Sequence, residues 1–546
     1  MLDLQLAIAE LDRVVVAQMA ADRTPGLTLA ITDRERTLHV GVYGLADIAI
    51  AAPVTPKTRF EIGSIGKSLA ADVALALATE GRIDLHAPVT AYLPWFEIRS
   101  EFAPITVHHL LNHSAGISSG LDGTADAVTE ALALAGVGAA TPPGDRVHYS
   151  NAGYKLVGLV IAAVTGQSSA EAIAERILEP LGMTASSSTI THTDRLGMAT
   201  GYVGLFDDRP FHPSHPLVPA TWLETDTADG AVAATAADMA AYARMLLNRG
   251  AFPGGLVYPE STFERKITSG TPDEDGDLYG YGINHLQIDG HSVVGHPGGM
   301  VGYSAGLVAD LDAGLGVAAF VNGPGSPNRI AFHALALVRA AQEGRPLPLA
   351  PDLTPNDPAP CAGTYRCDGG SADSDVAELV FASSGGVLRL RHEGVDLPLH
   401  PYDDDVFVAD HPDFDRFAFR FERDVSNAVV AVSHGGAWYG VAGVAADPAP
   451  TYPTEWDAYP GHYRSFNPWC PNFRVVLRRG ELRLIFPEGP DGFEDDQPLV
   501  PLDAPGHFRA GSDPGCPERI AFSAVIDGRT QVATLSGAVY GRFFTP

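Results

Sequence analysis

Residues 3–20 repeat their apolar positions at the spacing of an amphipathic helix, and Thr24-Pro25-Gly26 stops it. The period then changes. LTLAIT at 27–32 and TLHVGVYG at 37–44 read as two strands around a short charged turn. A helix is predicted from Ser64 to about Glu80, with Gly81 as its stop. Residues 105–250 read as helical and loop-rich, with turns at PPG (142–144) and EPLG (179–182). Strand patterns return in YGINHLQI at 281–288, which turns on Asp289-Gly290 into HSVVGH at 291–296. YSAGLVAD at 303–310 and LGVAAFVN at 315–322 follow, and a helix over 327–342 closes this part.

Two strands at the start and three at the end predict one antiparallel five-stranded sheet, built from both ends of the region. The terminal helices cover one face. The helical insertion that begins at Ser64 covers the other, giving an α+β domain over 1–345. The stretch 346–360 is Pro-rich and reads as a linker. Beyond it no long helix is predicted, and two segments resemble each other. Each opens with Gly-x-Tyr-Arg, at Gly363-Thr364-Tyr365-Arg366 and at Gly461-His462-Tyr463-Arg464. Each continues with a Leu-Arg-Leu run, at 388–394 and at 482–489. A duplicated small antiparallel β-barrel is expected, over 361–450 and 455–546.

Composition narrows the partners. A chain of 546 residues is too long for one hydrophobic core. No run of eighteen apolar residues occurs, so no membrane-spanning helix is expected. The net charge of −30, with no basic stripe, argues against nucleic acid. Cys361, Cys367, Cys470 and Cys516 form no Cys-x-x-Cys pair, and are expected to be reduced and structural. No cofactor and no metal is expected. The start Met-Leu-Asp lacks the features of a signal peptide. A cytoplasmic location is expected, or a periplasmic one if a signal was removed.

The chemistry begins at Ser64-Ile65-Gly66-Lys67, which sets a hydroxyl and an amine on one face of a predicted helix start. A serine hydroxyl is a poor nucleophile until a neighbour takes its proton. The chain has only four lysines, Lys57, Lys67, Lys155 and Lys266, so one of few stands here. Alone, the pair reads better as a capping serine and a solvated lysine. Tyr149-Ser150-Asn151 follows the turn Pro143-Gly144 and leads into a predicted helix. A tyrosine near a cation can act as a base. His296-Pro297-Gly298-Gly299 ends a strand, where glycines let a substrate approach the backbone. Gly302-Tyr303-Ser304-Ala305-Gly306 mimics a hydrolase elbow, but a hairpin pattern follows it, so Ser304 is expected within a strand. His109 and His113 lack the glutamate of a zinc helix and are expected to pack or shape a loop.

Ser64-x-x-Lys67, Tyr149-x-Asn151 and His296-x-Gly298, in this order, resemble the three motifs of the serine β-lactamase and penicillin-recognising family. They look like its branch of class C β-lactamases, esterases and D-aminopeptidases. Phe60-Glu61-Ile62-Gly63, LLNHSAGI at 110–117, EPLGM at 179–183 and YGYGI at 279–283 resemble the same branch. The likeness covers about 25–342. It implies that Ser64 is the acylated nucleophile and Lys67 its proton partner. Tyr149 would be base for the nucleophile and acid for the leaving group. Asn151 would position Lys67 and the substrate carbonyl. His296 would polarise Tyr149 or contact the substrate terminus. The N–H groups of Ser64 and Gly299, beside Gly298, would form the oxyanion hole. One departure matters: His296 stands where a lysine is usual. That shifts the expectation from penicillins and D-Ala-D-Ala peptides toward ester or aminopeptidase chemistry.

D-aminopeptidases of this family carry two lipocalin-like barrels after the catalytic domain, with a barrel loop reaching the active site. One relative of that kind is the serine peptidase of linearised microcystin, although no residue here singles it out. The implied function is cleavage of amide bonds in small linear peptides, D-residues included, through an acyl-enzyme on Ser64. The alternatives are a carboxylesterase with the same site and a catalytically silent peptide-binding protein. Substrate identity and oligomeric state are not set by the sequence.

Overall fold

The computed structural model describes residues 2–120, 126–272, 277–351, 356–367, 376–443, 450–487 and 494–544. The chain forms two compact units. The first comprises Met1–Val203 and Val218–Leu353, and the second Gly204–Leu217 and Thr354–Pro546.

The first unit is built on α1 (Leu2–Asp22), β1 (Gly26–Asp33), β2 (Thr37–Asp47), α2 (Ile65–Thr79), α3 (Asn151–Thr165) and α4 (Ala236–Leu247). It is completed by β3 (Asn284–Ile288), β4 (His291–Met300), β5 (Tyr303–Asp310), β6 (Leu315–Val321) and α5 (Pro327–Gln342). Its antiparallel sheet runs β3-β4-β5-β6-β1-β2, so strands from both ends of the unit meet at the centre. There Leu29 faces Ala319 and Ala30 faces Ala318. The sheet is wider than the five strands expected. Two-residue strands at Thr271–Pro272, Leu278–Tyr279 and Ala52–Pro53 extend its edges to nine. A pairing of two residues leaves no alternation to read.

β1 is buried along both faces. Leu27, Leu29 and Ile31 join Leu11 and Val15 of α1 and Ile330, Ala334 and Leu337 of α5 in one core. The intervening Thr28, Ala30 and Thr32 are buried on the opposite face. Alternation places these two sets on opposite sides of the pleat. On that second side α4 comes so near that a methyl added at Gly316 would lie 3.0 Å from the Ala243 Cβ.

The second unit holds two closed eight-stranded antiparallel barrels, one from Gly363–Cys367 to Ala437–Val441, the other from Gly461–Arg464 to Ala538–Arg542. The repeated motif occupies the same place in each. Tyr365 O–H donates to the Cys361 carbonyl at 3.0 Å, and Tyr463 O–H to the Tyr459 carbonyl at 2.6 Å. Arg366 faces Gly440 across the barrel seam, and Arg464 faces Gly541. The Leu-Arg-Leu runs form the third strand of each barrel. Residues 204–217, expected within the catalytic stretch, group instead with the barrels. Arg209 pairs with Asp208 and Asp415, and Asn472 Nδ2 donates to the Asp207 carbonyl at 2.8 Å.

Among the described residues all four cysteines are free, Cys361 and Cys470 being buried. No single helix among them is long and apolar enough to cross a membrane; the bent pair Asn151–Thr165 and Ser169–Leu178 passes on length and composition.

Candidate active site

The turn before α2 and the end of β4 are pressed together. Gly63 has φ +51°, and a Cβ there would lie 2.4 Å from the Gly299 carbonyl oxygen. A Cβ at Gly298 would lie 2.0 Å from the Ile62 carbonyl oxygen. Both positions therefore exclude a side chain, by sterics at each and by backbone conformation at Gly63. Gly299 is different: it is exposed, and a Cβ there would meet nothing within 4 Å. The open space lies at Gly299. Among the described residues the Ser64 N–H has no backbone acceptor.

Ser64 is half-buried at the N-cap of α2, and its hydroxyl faces Lys67 one turn on. Lys67 is fully buried. Its Nζ donates to Ser64 Oγ at 2.9 Å and to the Asp229 carbonyl at 2.8 Å. The same Nζ lies 4.9 Å from the centre of the Tyr149 ring and 5.8 Å from that of Tyr154. Asn151 is the first residue of α3 and is buried. The cap of that helix is Ser150, whose Oγ accepts from the Gly153 N–H at 3.0 Å. Ser64, Lys67, Tyr149, Asn151, His296, Gly298 and Gly299 are thus delivered by three separate parts of the chain.

His296 is buried on β4, with its ring 6.2 Å from that of Tyr149. Its Nδ1–H donates to the Pro297 carbonyl at 2.5 Å. Nε2 is then the acceptor, and Tyr279 O–H donates to it at 2.8 Å. Burial first, and then the neighbouring Lys67 and Lys266 ammoniums, push the imidazole down to about 3. His296 is therefore neutral at physiological pH. The hydrogen-bond partner of its Nε2 is Tyr279, a residue not singled out from the sequence.

Three contributors were not read from the sequence as site residues. Tyr279 lies in YGYGI, a stretch noted above only for its likeness. The Asp229 carbonyl is a backbone group with no side-chain signature. His113, expected to pack or shape a loop, lies with its ring 4.2 Å from that of Tyr149. Ser304 lies within β5 facing Gly299, as its hairpin pattern predicts.

The β-lactamase family profile matches residues 11–342. The chain belongs to the β-lactamase family. It is a serine hydrolase of that family, built as a β-lactamase-like fold followed by two barrels. Penicillin-binding protein 4 of Amycolatopsis lactamdurans is 29% identical to this hydrolase over 367 residues, covering 64% of the chain and 94% of that protein. The octameric penicillin-binding protein homologue from Pyrococcus abyssi shares 26% identity at a TM-score of 0.59, covering 79% of this chain and 99% of that one. A D-stereospecific amidohydrolase from a Streptomyces species shares 25% identity at a TM-score of 0.50, covering 62% of this chain and 99% of that one.

Proposed function

We propose that this hydrolase cleaves amide bonds in small linear peptides and aminoacyl amides, D-residues included, through an acyl-enzyme on Ser64. The observation that carries the reading is the 2.9 Å contact from the fully buried Lys67 Nζ to Ser64 Oγ, with the Tyr149 ring beside the same nitrogen. Ser64 Oγ attacks the amide carbonyl carbon, and its proton passes to the Lys67–Tyr149 pair. That pair returns the proton to the leaving amine as the C–N bond breaks. Water then attacks the acyl ester, which releases the acid and restores the Ser64 hydroxyl. The Ser64 and Gly299 N–H groups, in the open space at Gly299, are the donors for the oxyanion.

The neutral His296 supports the substrate class. A third motif without a cation offers nothing to a free carboxylate, so amides and blocked termini fit better than penicillins. Similarity to the D-stereospecific amidohydrolase supports inclusion of D-residues.

The test compares D- and L-aminoacyl p-nitroanilides, p-nitrophenyl esters and benzylpenicillin, with Ser64→Ala as control. Turnover of the anilides, lost in Ser64→Ala, is expected, with benzylpenicillin the poorest substrate. Cleavage of esters alone reassigns the chain as a carboxylesterase. Failure of a fluorophosphonate to label Ser64 makes it a silent binding protein.

A further inference from the structure

His113 grips the backbone on both sides of Tyr149. Its carbonyl accepts from the His148 N–H at 2.7 Å, and its Nδ1 accepts from the Ser150 N–H at 3.0 Å. Between these two bonds its ring lies against the Tyr149 ring, 4.2 Å between centroids. One residue thus holds the N–H of His148, the N–H of Ser150 and the face of the Tyr149 ring between them. Such a grip needs an unusual backbone. His113 has φ +57°, just past the short helix Val107–Leu111, a left-handed conformation uncommon for side chains other than Asn, Asp and His.

The ring's protonation is also set. Because Nδ1 accepts from Ser150, the proton of a neutral imidazole sits on Nε2. That nitrogen is buried and has no hydrogen-bond partner among the described residues. Burial first, then Lys67 and His296, hold the ring well below its ordinary range. The ring of Tyr279 lies 4.5 Å away and that of Tyr154 5.1 Å away. Tyr149 is therefore bounded on this side by neutral groups, while Lys67 supplies the cation beside it.

We propose that His113 is the positioning residue of Tyr149: it fixes the backbone and ring plane from which the tyrosine hydroxyl serves Ser64 and Lys67. The proposal rests on Tyr149 being the proton carrier described above. A residue that only supported the fold would lower stability without acting through Tyr149, so the experiment is a double-mutant cycle.

His113→Asn keeps an acceptor for the Ser150 N–H and tolerates positive φ, but loses the ring. His113→Phe keeps a ring and loses the acceptor. Each is combined with Tyr149→Phe. The readouts are the rate of Ser64 labelling by a fluorophosphonate, kcat and KM on a p-nitrophenyl ester, the pH–rate profile and the melting temperature. Each single His113 variant is expected to slow labelling and kcat 10- to 100-fold, with KM within threefold and a displaced pH–rate profile. In the Tyr149→Phe background the same changes should have less than a twofold effect. The inference is overturned if His113→Asn, folded with a melting temperature near that of the parent, keeps labelling within twofold and an unmoved profile. It is equally overturned if His113→Asn slows the Tyr149→Phe variant by the factor seen in the parent. Full activity of Tyr149→Phe alone instead removes the role assigned to Tyr149, a failure of the earlier reading that the single variant identifies on its own.

Discussion

Lys67 and Lys266 are both fully buried, and both reach the same helix, α2. Lys266 Nζ pairs with the Asp72 carboxylate and donates to Ser68 Oγ at 2.9 Å. Tyr242 O–H donates to Asp72 Oδ2 at 2.6 Å, and Tyr258 O–H donates to Asp72 Oδ1 at 2.8 Å. Every charge there has a partner, so burial is compensated. Lys67 donates instead to neutral oxygens, the Ser64 hydroxyl and the Asp229 carbonyl. Burial lowers Lys266 from its ordinary value and the Asp72 carboxylate opposes that shift, whereas Lys67 holds the Ser64 oxygen. In the proposed mechanism, the difference separates a lysine that holds the fold from one that serves the nucleophile.

Ser64→Ala strikes the comparison hardest. It removes the group that Lys67 serves, and turnover should fall by ~10⁴-fold or more, as nucleophile deletions do. The melting temperature should hold, since Ser64 is only half-buried and its side chain does not cap α2. Retained turnover would show that the Lys67–Ser64 contact is structural.

The lysines themselves should part company under one substitution. Lys67→Met should lower kcat by ~10³-fold while leaving stability within about 1 kcal/mol, because removing a buried charge relieves desolvation. Lys266→Met should cost about 3–5 kcal/mol, because Asp72 is left buried without its cation. Adding Asp72→Asn to Lys266→Met should recover much of that loss. Denaturant melts and initial rates on a p-nitrophenyl ester read both; equal stability losses for the two single variants would erase the distinction.

Only the Lys67 side of this contrast is legible in the sequence, and the reason is local geometry. Ser64 and Lys67 share one helical turn and Tyr149 and Asn151 straddle a helix start, short-range patterns that together resemble the family's motifs. The Gly-x-Tyr-Arg repeat was legible because each copy lies on the first strand of its barrel. What stayed hidden is long-range or lacks a side-chain signature. Asp72 and Lys266 are 194 residues apart, and the Ser150–His113 bond spans 37. The Asp229 carbonyl acts through its backbone. The sheet edges were missed because two-residue strands have no period, and residues 204–217 because their partners lie some 200 residues away in sequence.

A pH titration sharpens the surroundings of Lys67. His113 and His296 are both depressed by burial and by the Lys67 ammonium. A histidine depressed in the fold binds its proton preferentially when unfolded. The stability it supports is full above the unfolded value of 6.5 and is lost as pH falls, down to about 3 for His296. Each such histidine steepens the acid limb by about 1.4 kcal/mol per pH unit. Glu61, raised by burial to about 8 from 4.5, works oppositely: its contribution is full below 4.5 and is lost as pH rises. Lys67→Met should make the acid limb shallower by removing a cation from beside both histidines. Lys266→Met should leave the His113 contribution unchanged. Denaturant unfolding at a series of pH values measures both.

The smallest effect belongs to Ser68, one residue from Lys67 in sequence but committed to the other lysine. Its Oγ accepts from Lys266 Nζ and lies 2.8 Å from the Tyr242 hydroxyl oxygen. Ser68→Ala deletes that shared oxygen but leaves the Asp72 carboxylate in place for both donors. The cost should be about 1 kcal/mol, the net worth of a buried hydrogen bond. Labelling of Ser64 by a fluorophosphonate should stay within twofold, because Ser68 bonds to the structural lysine and not to the one facing the nucleophile. A large loss of labelling at that modest loss of stability would mean the two lysines share one network. Lys266 would then belong to the site, and the division between holding and working would have to be redrawn along α2.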